Sequence, residues 1–398
     1  MASQAQAISL SHYSRRAPAG GGRVVAIDYL RTFVIVLVLV HHSVLAYVSF
    51  GHFDRVHYLW STAPIVDSGR WRGFDPIVAV NDIFFMSLMF FVSGFFVWPS
   101  LNRKGTVAFL RDRALRLGVP FALAVTFLMP LAFYPSFRMT GADPGYFAFW
   151  RDTILAGPWP AGPSWFVSAL LGFDCVAAAI YLAAPRLGIA IRNRASAVFV
   201  YPIVFFAALI AVSGAAYVPM LLRFGVLYWF AVGPIAIQAS RALHYLAYFL
   251  AGVALGVYGL EASAFASGGR LARTWWLWAV VAVISAVAFL RVIIRQWPPP
   301  PMPYAGVFVA ASAAISLAWM AVFLRFVNGR FPILESLNDN SYGIYLVHYP
   351  YVTWMQYALL QAHLSPIAKG LLVFAGALAL SWGSVAALRR IPAVARVV

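Results

Sequence analysis

Hydrophobic and polar positions are arranged along the chain in long blocks, with apolar runs of about 20 residues separated by short polar stretches. A helix needs roughly 20 apolar residues to cross about 30 Å of hydrocarbon. The pattern therefore predicts an all-α polytopic integral membrane protein, with about ten transmembrane helices in one bundle. The predicted spans are residues 27–49, 79–98, 117–135, 164–184, 197–217, 243–260, 274–294, 304–326, 340–361 and 368–388.

The remaining segments complete this organisation. The apolar segment 224–237 is short and holds Pro234, which indicates an interfacial or re-entrant segment. We expect a disordered cytoplasmic tail over residues 1–24, because this stretch is rich in Ala, Ser, Gly and Gln. We further expect a membrane domain over residues 25–390 and a short cytoplasmic tail over residues 391–398.

Composition supports a membrane protein and excludes a nucleic-acid binder. The chain is 63% hydrophobic and 10% charged, whereas soluble domains carry roughly 25% charged residues. Its net charge of +17 comes from basic residues in short loops rather than on one polar face, so we expect no nucleic-acid partner. The single cysteine, Cys175, lies in an apolar run and can form no disulfide within the chain.

The distribution of Lys and Arg predicts the orientation. With a cytoplasmic N-terminus, the tails and inner loops hold 18 basic residues, while the outer loops hold 10 basic residues and six acids. Basic residues favour the cytoplasmic side. We therefore expect a multi-pass protein of the inner (cytoplasmic) membrane with both termini in the cytoplasm.

The first span contains the best candidates for catalysis, because ionisable residues are costly inside a membrane. Arg31 and His42 are eleven residues apart, which places them within about 20° on one helix face and roughly 16 Å apart along the axis. Asp28 is an i,i+3 neighbour of Arg31, whereas His41 points some 80° away from Arg31. We call Asp28, Arg31 and His42 the polar stripe and take His42 as a general base. The alternative is a stripe of hydrogen bonds that only joins helices.

A second candidate lies just before the third span, where Arg113 and Arg116 are three residues apart. Arginines with this spacing share a helix face and can bind a polyphosphate through forked hydrogen bonds. The alternative is an ordinary anchor of basic residues on the cytoplasmic side.

Three further residues are candidates for substrate binding. Trp165 opens the fourth span, where it is either an interface anchor or a platform for substrate. Asp174 lies near the middle of that span and either pairs with an arginine or lines a cavity. His348 lies inside the ninth span, where a hydrogen-bonded structural histidine is the alternative. The sequence has no P-loop, no His-Glu-x-x-His and no cysteine pair, so we expect no metal and no permanently bound cofactor.

These pieces, in this order, resemble the acyltransferase-3 family of integral membrane O-acyltransferases. The resemblance rests on Asp-Tyr-Leu-Arg…His-His in the first span, Phe-Val-Ser-Gly-Phe-Phe in the second and Arg-Ala-Leu-Arg-Leu-Gly-Val-Pro before the third. It continues with Trp-Phe-Val opening the fourth span and Ser-Tyr-Gly-Ile-Tyr-Leu-Val-His near the end. The likeness covers nearly the whole chain after residue 24.

The resemblance implies transfer of an acyl group, usually acetyl, from cytoplasmic acyl-CoA to a hydroxyl of a sugar or other acceptor. It implies that Arg31 and His42 are essential and that Arg113 and Arg116 handle acyl-CoA. Some members carry Trp-Ser-Leu-x-x-Glu at the fourth span, but here the stretch Trp165–Leu170 lacks that glutamate, which leaves the class of acceptor open. A transporter or flippase for a lipid-linked sugar or small solute is the rival interpretation.

Overall fold

The computed structural model describes residues 21–397, with side chains from residue 25 onward, and these residues form one helical bundle with a single β-hairpin. The helices before the hairpin are α1 (Gly21–Val44), α2 (Phe74–Gly94), α3 (Val97–Lys104), α4 (Thr106–Arg138), α5 (Tyr146–Leu155), α6 (Trp165–Ala183), α7 (Leu187–Arg194), α8 (Ser196–Val200) and α9 (Pro202–Phe224). The hairpin consists of β1 (Trp229–Val232) and β2 (Ile235–Gln238). The helices after it are α10 (Ala242–Tyr258), α11 (Arg270–Arg273), α12 (Trp275–Arg295), α13 (Pro301–Phe326), α14 (Pro332–Ala358), α15 (Pro366–Leu388) and α16 (Pro392–Ala395).

Nine helices in the described part of the chain are long and apolar enough to cross a membrane. They coincide with nine of the ten predicted spans, which confirms the all-α polytopic fold. The tenth predicted span, residues 340–361, overlaps α14, which has 27 residues and ends at Ala358; it is long enough to cross but more polar.

Helix α14 follows α1 along its length, which supports its assignment as the tenth span. At one end Tyr29 Oη donates a hydrogen bond to Glu335 (2.7 Å). At the other end Gln356 Nε2 donates to the carbonyl oxygen of His42 (2.8 Å). Since residue numbers rise together along the two helices, α14 runs parallel to α1 and crosses the same thickness. Five of its polar side chains are buried in the bundle, which explains its lower hydropathy: Asn340, Ser341, His348, Thr353 and Gln356.

Helices α2 and α10 touch backbone to backbone because glycines line their contact. A Cβ added at Gly94 would lie 2.3 Å from the carbonyl oxygen of Phe249, and one at Gly252 would lie 1.9 Å from that of Phe91. Gly256 makes the same kind of contact with Phe95, so α10 uses a Gly-x-x-x-Gly pattern. The glycine of the Phe-Val-Ser-Gly-Phe-Phe motif is therefore a packing residue.

We expect Gly252→Ala to destabilise the bundle, because the new methyl group meets a backbone atom that cannot move without separating α2 from α10. Overpacking a well-packed contact costs about 1–3 kcal/mol and occasionally more. The melting temperature and membrane abundance of the variant measure this effect. Gly306→Ala is the matched control, since a Cβ there meets nothing within 4 Å, and it should leave stability unchanged or slightly raised. Equal melting temperatures for the two variants would contradict the close contact.

Three prolines inside α4 explain how this helix is fixed to its neighbours. A proline has no N–H for the carbonyl four residues earlier, and its ring pushes that carbonyl away. Each of the three carbonyls left without its usual donor accepts a hydrogen bond from a side chain of α5 or α14. The pairs are Tyr342 Oη to Arg116 (2.8 Å, opposite Pro120), Trp150 Nε1 to Thr126 (2.8 Å, opposite Pro130) and Trp354 Nε1 to Leu131 (2.9 Å, opposite Pro135).

Pro120 and Pro130 each lie two residues after a wide π-helical turn, Ala114–Gly118 and Ala124–Leu128 respectively. Such turns are rare and are frequent at functional sites. The first one contains Arg116, so the backbone between Arg113 and Arg116 is not a regular α-helix. The two side chains consequently leave α4 in different directions from those that an α-helix would give.

The segment predicted as interfacial or re-entrant forms the antiparallel hairpin of β1 and β2, in which Trp229 pairs with Gln238 and Val232 with Ile235. Gly233, with a φ of 56°, and Pro234 make the turn between the strands. Strand β2 packs against α6, while all four residues of β1 are exposed. The hairpin thus covers the start of α6.

The loop between α1 and α2 is anchored by a buried ion pair. Lys369 Nζ, at the start of α15, lies 2.7 Å from Asp67 Oδ2, and the two side chains are 4% and 2% exposed. Lys369 also donates to the carbonyl of Leu360. A buried pair of this kind is destabilising to break, so it fixes the loop to the bundle.

The predicted tails are described only in part. Most of the predicted tail 1–24 lies outside the described residues, but α1 already begins at Gly21, four residues before the predicted boundary. In the predicted tail 391–398, the short helix α16 spans Pro392–Ala395.

Candidate active site

The N-terminal half of α1 is hydrogen-bonded to α14, and this fixes which way the polar stripe faces. Besides the Tyr29–Glu335 hydrogen bond, Thr32 Oγ1 donates to Asn338 Oδ1 (3.0 Å). Tyr29 and Thr32 therefore hold the rotation of α1 about its axis.

His42 lies against two aromatic side chains of α14. Its ring stacks on that of His348 at a centroid distance of 5.4 Å and an interplanar angle of 29°. It also meets the ring of Tyr349 edge-on at 4.9 Å. Nδ1 of His42 is buried and has no hydrogen-bond partner among the described residues. Two predicted site residues, 306 positions apart in sequence, thus form one pair of rings.

The protonation of His348 follows from its hydrogen bond. Its Nδ1 lies 2.7 Å from the carbonyl oxygen of Tyr345. A carbonyl only accepts, so Nδ1 carries the proton and Nε2 of the neutral ring keeps its lone pair. Nε2 is buried and without a partner in the described part of the chain, which leaves a fixed hydrogen-bond acceptor beside His42.

His41 faces helix α2, whereas His42 faces α14. Its ring lies 5.2 Å from that of Phe85 on α2, and the nearest charges are those of Asp82 and Arg241. The two adjacent histidines therefore contact different helices, in agreement with the angle between them on α1.

Arg31 is a cation without a direct ion pair in the described structure. The charge of Asp28 acts on it, but the two side chains form no salt bridge, and Nε of Arg31 is buried without a hydrogen bond. Arg113 lies close enough for its charge to act on Arg31 as well. Two guanidinium groups from α1 and α4 thus converge about 16 Å from His42 along α1.

Asp174 pairs with Arg113, which decides between the two interpretations of this carboxylate. Arg113 Nε lies 3.2 Å from Asp174 Oδ2, and the side chains are 27% and 1% exposed. The guanidinium also lies over the ring of Phe109 at 5.1 Å. Neither oxygen of Asp174 has an aligned hydrogen bond among the described residues, so the contact is an ion pair only.

Arg116 has a different environment from Arg113. Its side chain is exposed, and its carbonyl is the one that Tyr342 binds. The structure therefore brings Arg113 close to Arg31 and leaves the side chain of Arg116 at the surface. Arg111 is also exposed.

Trp165 lies inside an aromatic cluster rather than at an isolated interface position. Its ring stacks on Tyr245 of α10 at 5.7 Å and meets Trp229 of the hairpin edge-on at 5.8 Å. The next residue, Phe166, lies 5.7 Å from Tyr345, which holds His348. The start of α6 therefore contacts both α10 and the turn of α14 that precedes His348.

An ion pair between Asp82 of α2 and Arg241 was not among the candidates that the sequence provided. Arg241 Nη2 lies 2.7 Å from Asp82 Oδ2 and Nη1 lies 3.2 Å from the Asp82 carbonyl oxygen. Both residues count among the outer charges by sequence. Asp82 nevertheless falls within the predicted span 79–98, where an ionisable side chain is itself a signal of function.

The comparisons with known proteins yield one match. Residues 24–386 match the model of a family described as an acyltransferase domain. No curated protein and no solved structure matches the chain. Among residues 21–397, no group of three or more His, Cys, Asp or Glu side chains is arranged to hold a metal ion.

Proposed function

The chain belongs to the acyltransferase-3 family of membrane acyltransferases, and on this basis we propose that it is an O-acyltransferase using acyl-CoA. It moves an acyl group, acetyl in this proposal, from cytoplasmic acyl-CoA to a hydroxyl of a carbohydrate or similar acceptor. The observation that carries the proposal is the polar stripe: an unpaired Arg31 at one end and His42 on His348 at the other.

The donor site is proposed at the cytoplasmic end of the stripe. Arg31 and Arg113 present two cations against the carboxylates of Asp28 and Asp174, and Arg31 lacks a direct partner in the described structure. A polyanion such as the diphosphate of acyl-CoA would relieve the repulsion between the two guanidinium groups. Arg116, at the surface of the same helix, adds a further forked donor.

The distance between the two ends of the stripe fits a long, narrow donor. With its phosphates at Arg31 and Arg113, acyl-CoA reaches His42 by extending its pantetheine arm over about 16 Å along α1. The thioester then lies against the packed rings of His42, His348 and Tyr349. His348 and Tyr349 are buried, which keeps water away from it.

In the proposed reaction, His42 accepts the proton of the acceptor hydroxyl as the oxygen attacks the thioester carbonyl. A C–O bond forms and the C–S bond breaks, and the thiolate of CoA takes the proton from His42 as it leaves. His348 cannot donate through Nε2 in its neutral form, so it accepts a hydrogen bond and orients the acceptor hydroxyl or a water.

The experiment that tests this function is transfer of label. Purified protein in nanodiscs is given acetyl-CoA labelled in the acetyl group together with a hydroxyl acceptor. We expect label in the acceptor and one free CoA thiol per transfer. Uptake of an intact solute into vesicles without any cleavage of acetyl-CoA would favour the transporter interpretation instead.

The donor site makes a specific prediction for Arg116→Ala. Loss of a charge-assisted hydrogen bond costs about 1.5–3 kcal/mol, so the affinity for CoA should fall about ten- to a hundredfold. Arg111→Ala is the control, because Arg111 is also exposed but lies some 200° around the helix axis from Arg113. Isothermal titration with CoA measures both. Equal losses in the two variants would mean that Arg116 acts only through general positive charge.

The proposed location is the inner membrane of the cell, with both termini and the segment 99–116 in the cytoplasm. Cysteine labelling in a Cys175→Ala background tests this orientation. Lys104→Cys should resist a membrane-impermeant thiol reagent in intact cells and react after lysis. Trp60→Cys, at a position that is 76% exposed in the loop after α1, should react in intact cells. The reverse pattern would overturn the orientation.

A further inference from the structure

The Asp82–Arg241 pair is unequally exposed. The side chain of Arg241 is 5% exposed, whereas that of Asp82 is 45% exposed. Arg241 is further enclosed by the ring of Phe308, 4.9 Å from its guanidinium carbon. The cation therefore lies in the protein, and its carboxylate partner faces an open space.

This open space is enclosed by the bundle. Residues one helical turn from Asp82 on α2 are buried on both sides: Val78 is 5% exposed, Phe85 6% and Met86 5%. A carboxylate facing lipid would lie on a stripe of exposed neighbours. Asp82 instead borders a gap between packed helices.

The gap adjoins the proposed reaction centre. Phe85, one turn below Asp82, contacts the ring of His41, which in turn lies 5.3 Å from the ring of His42. On the other side Tyr245, one turn after Arg241, stacks on Trp165. The pair therefore lies near the end of α1 that carries His42, opposite to the end that carries Arg31.

The groups around the gap define the chemistry of a ligand. Asp82 and Arg241 cancel each other's charge, so they attract neither a cation nor an anion strongly. Asp82 accepts hydrogen bonds, while two buried donors nearby, Arg241 Nε and Asn81 Nδ2, have no partner among the described residues. The ring of Trp229, 46% exposed, packs on Trp165, which stacks on Tyr245 one turn after Arg241, so it offers an apolar face in the same cluster. A neutral compound with several hydroxyl groups can donate hydrogen bonds to Asp82, accept them from the two donors and pack on the aromatic ring.

We propose that Asp82 and Arg241 form the binding site for the acyl acceptor, a neutral polyhydroxyl compound that enters from the side of the membrane opposite to the donor. The inference rests on the proposed function, since it places the acceptor next to His42. Asp82 accepts hydrogen bonds from two hydroxyls of the ligand, and Arg241 holds the carboxylate in place. Donor and acceptor thus meet at His42 from opposite ends of α1.

Thermal denaturation of the purified chain with maltotriose, glucose and glycerol as probes tests the site. Sugars stabilise proteins generally through exclusion from the surface, so the measured quantity is the saturable part of the shift in melting temperature. We expect maltotriose to give a saturable shift with the wild type. Asp82→Asn should raise the half-saturating concentration about ten- to a hundredfold, as expected for hydrogen bonds to a charged group.

Two further variants make the result decisive even if Asp82→Asn folds poorly. Asp67→Asn disturbs the Asp67–Lys369 ion pair, which has the same 2.7 Å separation but in which both side chains are buried. This variant should bind maltotriose like the wild type. Trp229→Ala leaves every ion pair intact and should weaken maltotriose binding by a smaller factor. An unchanged half-saturating concentration in both Asp82→Asn and Trp229→Ala would overturn the proposal.

Two results with the wild type would also overturn the proposed acceptor site. One is no saturable shift in melting temperature with any of the three probes. The other is a saturable shift with choline or inorganic phosphate in their place. Binding of CoA, titrated on the same samples, reports separately on the proposed function. A wild type that binds CoA but no polyhydroxyl probe refutes the acceptor site alone. One that binds maltotriose through Asp82 but neither binds nor cleaves acetyl-CoA refutes the transferase.

Discussion

His42→Ala should lower the rate of acyl transfer by about 10²–10⁴, the usual contribution of a general base, while His41→Ala keeps most of its activity. The structure gives the reason. His42 lies on His348 at 5.4 Å and faces the proposed path of the donor, whereas His41 lies on Phe85 of another helix. Replacing His41 removes some packing contacts with α2, but it leaves the proposed proton acceptor, His42, in place.

The comparison of the two histidines is made at equal membrane abundance, with transfer from labelled acetyl-CoA as the readout. Binding of CoA should be unchanged in both variants, since Arg31 and Arg113 remain. An inactive His41→Ala beside an active His42→Ala would assign the chemistry to the wrong face of α1. Full activity in both would make the polar stripe a set of contacts between helices.

Arg113→Ala should destabilise the bundle, because it leaves the carboxylate of Asp174, 1% exposed, without its cation. Removal of one partner of a buried ion pair costs about 3–5 kcal/mol. Arg113 is 27% exposed, so the lower part of this range applies. The melting temperature and the amount of inserted protein measure the loss.

The double variant Arg113→Ala/Asp174→Asn separates folding from binding at this site. A neutral amide at position 174 no longer needs a cation, so stability should largely return. Affinity for CoA should remain about ten- to a hundredfold reduced, because the cation beside Arg31 is still missing. Recovery of both stability and affinity would mean that Arg113 serves the fold alone.

Much of the fold is predictable from the sequence, because lipid imposes one simple requirement on each span. Runs of about 20 mainly apolar residues predict all ten spans; nine coincide with strongly apolar helices, and the tenth overlaps the more polar helix α14. Its polar side chains are matched by polar groups of α1, such as Thr32 for Asn338. A helix surrounded by protein need not be apolar.

The local geometry of α1 is equally predictable, because a regular helix fixes the angle between residues. His41 and His42 indeed meet different neighbours. The same rule does not apply between Arg113 and Arg116, where a π-helical turn precedes Pro120. The proline itself was visible in the sequence, but the turn depends on whether the freed carbonyl finds a donor, here Tyr342.

Contacts between distant segments are the part that the sequence does not reveal. His42 and His348 each had a structural alternative when taken alone, and only the fold places one ring on the other. Arg241 is one of several arginines near a predicted span end, and its burial depends on Asp82 of another helix. Both pairings are set by how ten helices pack, which periodicity within one helix does not encode.

The most direct test of the account is a double-label experiment with the purified chain in nanodiscs. Acetyl-CoA carries ¹⁴C in the acetyl group and ³H in the adenine, and maltotriose, glucose and glycerol serve as hydroxyl acceptors. The account predicts ¹⁴C in an acceptor ester that hydroxylamine cleaves, ³H in free CoA in equal amount, and neither product with His42→Ala. Equal product formation by wild type and His42→Ala, or intact acetyl-CoA with every acceptor, would contradict it.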